Sequence, residues 1–222
     1  SPRAAKRLLN KHNARGETAL LLSLTYNKNY PKNARLLVES GACVNAADVD
    51  GETPLMQSPN REMTKFLLDK GARVDARNKI SGLDVLAYLA SDAGSVSLLL
   101  EAGVNVHSRG RSGRTALFFA SPESVPLLAA AGADVNARDN EGRSVLVNAA
   151  LGEHGYKTVR ALLVSGATFT EKDDETISKS VFGGTRLSAH LERAKDDIGE
   201  KYMYAAAAES LETLDELNAT YG

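Results

Sequence analysis

Cysteine is almost missing from this 222-residue chain: Cys43 stands alone, so no internal disulfide can form. Nothing nearby in sequence offers Cys43 a base, and it is expected as a small buried apolar residue, not a nucleophile. Aromatic residues make up only 5% of the chain and no basic motif interleaves them, which argues against a nucleic-acid partner. No apolar run reaches the roughly 18 residues of a membrane-spanning helix, so no membrane insertion is expected. The GxxxxGK, GxGxxG and GxSxG patterns are absent, and with them the phosphate loop, the dinucleotide turn and the nucleophile elbow. The histidines, His12, His107, His154 and His190, are scattered without metal-ligand spacing. No catalytic residue, cofactor or metal is expected.

The chain opens at Ser1-Pro2-Arg3, without methionine or an apolar leader, and reads as a trimmed or processed chain. Cytoplasmic and exported settings fit equally well. What is present is ordinary for a globular protein: 43% hydrophobic and 25% charged residues. The net charge of -1 hides an asymmetry. Residues 171–222 hold 12 acidic and 6 basic side chains, leaving 16 acidic and 21 basic in residues 1–170. Such an imbalance bears on partner choice and steering, not on fold.

A repeat underlies the array. Five leucine-rich segments end alike, at Gly41-Ala42, Gly71-Ala72, Gly103-Val104, Gly132-Ala133 and Gly166-Ala167. The first four lead into extended stretches at Val44–Asp48, Val74–Asn78, Val106–Gly110 and Val135–Asp139. Second anchors follow, beginning Gly51-Glu52-Thr53, Gly82-Leu83-Asp84, Gly113-Arg114-Thr115 and Gly142-Arg143-Ser144, with Gly16-Glu17-Thr18 ahead of them. Thr53-Pro54 reads as a helix cap followed by proline at the first helical position. The glycines after the leucines read as left-handed helix terminators, and Asp50-Gly51 and Ser112-Gly113 as tight reversals.

In these residues the chain resembles the ankyrin repeat family, over residues 1 to about 170. The resemblance implies an all-α fold, a solenoid of stacked helix pairs with projecting β-hairpin loops. The expected domains are 1–170, a partial leading unit (Pro2–Leu9 as its helix) plus five repeats, and 171–222, a helical C-terminal cap. Spacing is uneven: Gly16/Gly41, Gly51/Gly71, Gly82/Gly103, Gly113/Gly132 and Gly142/Gly166 stand 25, 20, 21, 19 and 24 positions apart. The three short units are expected to lose residues between their helices, at Ser58-Pro59 and Ser121-Pro122 in two of them. The first and last are expected to carry enlarged loops, Asn27–Asn33 and Gly152–Tyr156.

The resemblance also implies a non-catalytic module that binds another protein through hairpin tips and a concave first-helix face, as adaptor or inhibitor, and that is monomeric alone. The tips are Val49-Asp50, Lys79-Ile80, Arg111-Ser112 and Asn140-Glu141; Val49 and Ile80 are apolar where no local core exists. The first helices offer Tyr26, Gln57, Tyr88, Phe119 and Asn148. Phe118 and Phe119 cannot share one helix face, so one is expected in the core and the other at the groove. Tyr30, in the enlarged first loop, is a further candidate. Arg77, Lys79, Arg109, Arg111, Arg114, Arg138 and Arg143 fall in or beside successive hairpins and form a candidate ladder toward an acidic partner. The alternative is a targeting array of a larger enzyme or secreted effector, whose catalytic domain lies outside this chain.

Overall fold

The computed structural model describes residues 7–26, 30–151, 155–170 and 172–173. The expected cap, apart from Lys172 and Asp173, and Pro2 to Lys6 of the leading helix lie outside the described residues. The chain divides into two compact units, Ser1–Phe119 and Ala120–Gly222.

In the first unit, α1 (Ala19–Tyr26) pairs with α2 (Tyr30–Glu39), followed by α3 (Arg61–Asp69), α4 (Val85–Leu89), α5 (Ala93–Glu101) and a 3-10 segment, Ala116–Phe119. The second unit contains α6 (Ser124–Ala130), α7 (Val145–Leu151) and α8 (Gly155–Val164). The fold class is all-α, as expected. Among the described residues the hairpins hold no strands, only isolated antiparallel bridges at Arg77/Asp84 and Arg138/Ser144.

Local sequence explains most boundaries. Asn60, Asp84 and Asp92 cap α3, α4 and α5 by accepting from the backbone N–H of Met63, Ala87 and Ser95. Gly16, Gly51, Gly82, Gly113 and Gly142, with Gly41, Gly71, Gly103, Gly132 and Gly166, all have positive φ, which a Cβ disfavours. Leu20, Leu55, Leu67, Leu86 and Leu99 are fully buried in the first unit, and Leu128, Leu146 and Leu162 in the second. Each such leucine contributes about 1.5–3 kcal/mol of burial. Between α3 and α5 a buried hydroxyl chain joins Ser58 to Thr64 at 2.8 Å and Thr64 to Ser95 at 2.7 Å, ending on Asp92 at 2.6 Å. These hydroxyls enter the core at little cost because each is hydrogen-bonded.

The short units differ from expectation. Residues are lost from the first helix itself, not only between the helices: it has 8 residues in α1, 5 in α4 and 4 in the 3-10 segment. After Thr53-Pro54 the chain makes a turn over residues 54–57 and no α-helix. Gln57 N–H reaches the Thr53 carbonyl at 3.3 Å, then Ser58 N–H reaches Leu55 at 3.1 Å. The Thr53 hydroxyl is buried with no hydrogen-bond partner, so it does not cap. Proline at 59 disfavours the helical region for Ser58, and Pro122 does the same for Ser121.

The enlarged loops also need correction. Tyr30–Asn33 form the first turn of α2, where Pro31 is tolerated because early helical N–H groups have no partner, and Gly155-Tyr156 open α8. Asn27–Asn29 and 152–154 lie outside the described residues. Cys43 is exposed, not buried. Burial alternates along Ala42 to Ala47, and position 43 faces outward on that two-residue period.

Candidate protein-binding surface

The hairpins share one construction. Asn13, Asp48, Asn78 and Asp139 each turn a side-chain oxygen back onto two backbone N–H groups of the reversal, at 2.8–3.0 Å. Gly110 occupies this place in the fourth hairpin. A Cβ there would stand 2.7 Å from Leu83 Cδ2 and 3.1 Å from the Ser81 carbonyl oxygen, so a side chain at this place would have to displace the neighbouring hairpin's leucine.

In the first unit, backbone bonds tie successive tips. Val49 N–H donates to the Arg15 carbonyl at 3.1 Å, Lys79 to Asp50 at 2.6 Å, and Arg111 to Ser81 at 2.7 Å. This places the tips named from sequence side by side. The third reversal is one residue longer than the second: Gly82 N–H reaches back four positions to Asn78, whereas Gly51 reaches three to Asp48. Val49 and Ile80 are 56% and 67% exposed, so neither tip side chain is absorbed by its neighbour. Lys79, Arg111 and Ser112 are exposed and Asp50 is half-buried. Lys79 Nζ donates to the Val49 carbonyl at 3.1 Å.

Behind the tips, two first-helix candidates meet on one carboxylate. Glu52 Oε1 accepts from the Tyr88 hydroxyl at 2.6 Å and from Asn78 Nδ2 at 3.1 Å, while Oε2 accepts from Gln57 Nε2. Burial, then the hydrogen bond and negative charge of Glu52, push the Tyr88 phenol up to about 12. Sequence reading proposed Gln57 and Tyr88 but missed Glu52, whose position next to Gly51 is the one available signal. Phe118 is buried, with the Arg114 guanidinium 5.7 Å from its ring centroid, and Phe119 is half-buried. Tyr26 and Tyr30 lie on helical backbone, but their side chains fall outside the described residues.

In the second unit Asn140 and Glu141 are exposed at the reversal, and Glu141 pairs with Arg143 at 3.0 Å. Arg143 also holds Asp139 at 3.1 Å. Arg138 binds the buried carboxylate of Asp173 and the Gly142 carbonyl, at 2.9 Å each.

The arginine ladder is therefore partly consumed within the fold. Arg138 and Arg143 face carboxylates. Arg77 instead donates to the carbonyls of Gly82 at 2.9 Å and Arg109 at 3.0 Å and to the Ser108 hydroxyl, and Arg109 to the Gly113 carbonyl at 2.8 Å. Among the described residues no three His, Cys, Asp or Glu side chains converge as metal ligands would, and no helix is long and apolar enough to cross a membrane.

Comparison with known proteins places this geometry. The family model described as ankyrin repeats, three copies, matches residues 1–78 and 82–173. A crystal structure of an ankyrin repeat domain from Acinetobacter baumannii AYE superposes with a TM-score of 0.57 and 30% identity, over 72% of this chain and 87% of that one. A putative palmitoyltransferase ZDHHC13 of Danio rerio is 37% identical over 93 residues, 39% of this chain and 14% of the relative. The chain thus matches about one seventh of that relative's length.

Proposed function

Because the chain belongs to the ankyrin repeat family, whose repeats are generally protein–protein interaction modules and whose fold is typically non-catalytic, we propose that it binds a protein partner through its hairpin tips and the first-helix residues behind them. The observation that carries this reading is the exposed apolar pair Val49 and Ile80 on adjacent tips of the first unit. Apolar side chains held in water on a backbone-tied hairpin gain by being covered, and a preorganised surface loses little entropy when that happens. Asp50, Lys79, Arg111 and Ser112 supply the polar rim, and Gln57, Tyr88 and Phe119 the floor. In the second unit Asn140 and Glu141 form the corresponding tip. The module acts by recruiting or by blocking its partner, with no cofactor.

The test is affinity capture with the full chain and with an Arg111→Glu/Phe119→Ala double variant. Loss of the captured protein with the variant supports this surface, and recovery of the same protein by both rejects it.

A second reading has its own observation: the Danio rerio relative is a putative palmitoyltransferase seven times longer than the matched portion. On that reading the array is the targeting part of a larger enzyme. A parent reading frame scarcely longer than 222 residues would rule it out.

A further inference from the structure

We infer that the third and fourth hairpins of the first unit form a docking surface for an acidic protein segment that carries at least one apolar side chain, seated on Ile80. The inference rests on the protein-binding reading above and narrows it to one face and one partner chemistry.

Charge comes first. Residues 76–83 and 107–114, which contain these hairpins, include Arg77, Lys79, Arg109, Arg111 and Arg114 and no aspartate or glutamate. The adjoining second hairpin is the opposite, with Asp48, Asp50 and Glu52. Taken over the sequence, the basic residues look like a ladder diluted by acids, but the folded chain sorts them. In the second unit Arg138 and Arg143 are taken up by Asp173, Asp139 and Glu141. Arg77 and Lys79 are held by neutral acceptors instead: carbonyl oxygens of Gly82, Arg109 and Val49 and the Ser108 hydroxyl. A carbonyl orients a cation without cancelling its charge. Both cations are therefore fixed in place and keep their charge, which favours fast, salt-sensitive encounter with an acidic surface.

Rigidity and an apolar anchor come next. The Arg111-to-Ser81 backbone bond at 2.7 Å locks the two reversals together. Arg77 reaches from the third hairpin to Ser108 and Arg109 of the fourth. The one-residue extension of the third reversal carries Ile80, 67% exposed, beside Lys79 and near Arg111. An apolar knob beside two cations selects a partner with an apolar contact next to acidic groups. It discriminates against nucleic acid, which offers charge without such a contact at a duplex backbone.

The experiment pans a random 16-residue peptide library, displayed on phage, against the full chain, and runs a fluorescein-labelled DNA duplex in parallel. The expected result is enrichment of net-acidic peptides containing an apolar residue. Their affinity should fall about tenfold or more with Arg111→Glu and with Ile80→Ser, and little with Lys65→Gln on the exposed face of α3. Binding should also weaken as salt rises from about 0.01 M to about 1 M, as the screening length contracts. Circular dichroism melts confirm that each variant is folded. Acidic peptides indifferent to Arg111→Glu and Ile80→Ser would overturn the inference while leaving protein binding intact, as would neutral or basic peptides that respond to Glu52→Gln. Enrichment of no peptide overturns the inference, while the protein-binding reading is decided separately by the affinity capture described above. Duplex binding that outcompetes the peptides and is lost with Arg111→Glu assigns the face to nucleic acid and also overturns the inference.

Discussion

Arg138 and Asp173 meet as a parallel, two-point ion pair, Nη1 to Oδ1 at 2.9 Å and Nη2 to Oδ2 at 3.1 Å. The carboxylate is fully buried, and it also accepts from the Thr170 backbone N–H at 2.9 Å and the Thr170 hydroxyl at 2.8 Å. Through it the last hairpin holds the segment that follows the last repeat. Arg138→Ala leaves a buried carboxylate without its cation, whereas Asp173→Asn keeps the shape and one acceptor. Both variants should destabilise the second unit, Arg138→Ala by about 2–4 kcal/mol and Asp173→Asn by about 1–2 kcal/mol. Urea unfolding of the two variants beside wild type checks the order; equal costs would mean the charge is not the issue.

The same pair sets an acid dependence. Burial raises the Asp173 carboxyl, but the hydrogen bonds from Arg138, Ser144 and Thr170 outweigh it and hold the group below its ordinary value of 3.8. A depressed folded-state value means that ionised Asp173 stabilises the fold fully above the unfolded value. That contribution is lost as pH falls through the folded one. Wild type should lose stability between about pH 5 and about pH 2 faster than Asp173→Asn. Thermal melts across that window should show the two curves converging toward low pH. Parallel curves would refute the assignment.

Tyr88 provides an alkaline counterpart. Its phenol, raised to about 12 by burial and by Glu52, stays neutral well past the ordinary 10. Phenolate absorbance should show a component with a midpoint near 12 that disappears in Tyr88→Phe. In Glu52→Gln the midpoint should move down without reaching 10, because burial is the larger cause and remains. A raised phenol favours the fold below the unfolded value, and this contribution is lost as pH climbs from about 10 to about 12.

Two glycines with nearly the same backbone angle separate strain from crowding. Gly51 has φ +82 and Gly71 φ +84. A Cβ at Gly51 would stand 2.8 Å from the Arg77 carbonyl oxygen, while one at Gly71 meets nothing within 4 Å. Gly71→Ala should cost the left-handed penalty alone, about 1–2 kcal/mol. Gly51→Ala should cost more, since backbone must shift between neighbouring hairpins. Melting temperatures of the two variants decide it.

Much of this was legible in the order of the residues. The repeat glycines all took the positive φ that their positions implied, since left-handed backbone is a local demand that only glycine meets cheaply. Phe118 and Phe119 divided between core and edge as adjacent helical positions must. The lengths of the first helices were harder to read. Ser-Pro steps announce where a helix stops, but not whether the few residues before them coil as an α-helix, a 3-10 turn or neither. Cys43 failed because its identity suggested burial, while the two-residue alternation of its stretch placed it outside.

The candidate surface divides in the same way. By itself the sequence determined the repeats, the tips and the presence of apolar residues on two of them, because these depend on neighbours within a few positions. Only tertiary structure decided which of the ladder's cations face carboxylates, as Arg138 and Arg143 do. Arg138 finds Asp173 35 positions away, and Tyr88 finds Glu52 at a separation of 36. Such pairings join one repeat to the next, and no local pattern encodes them. They arise where stacking brings an arginine or a tyrosine within hydrogen-bond reach of a carboxylate, and that reach depends on the geometry of the stack, not on the residues beside each group.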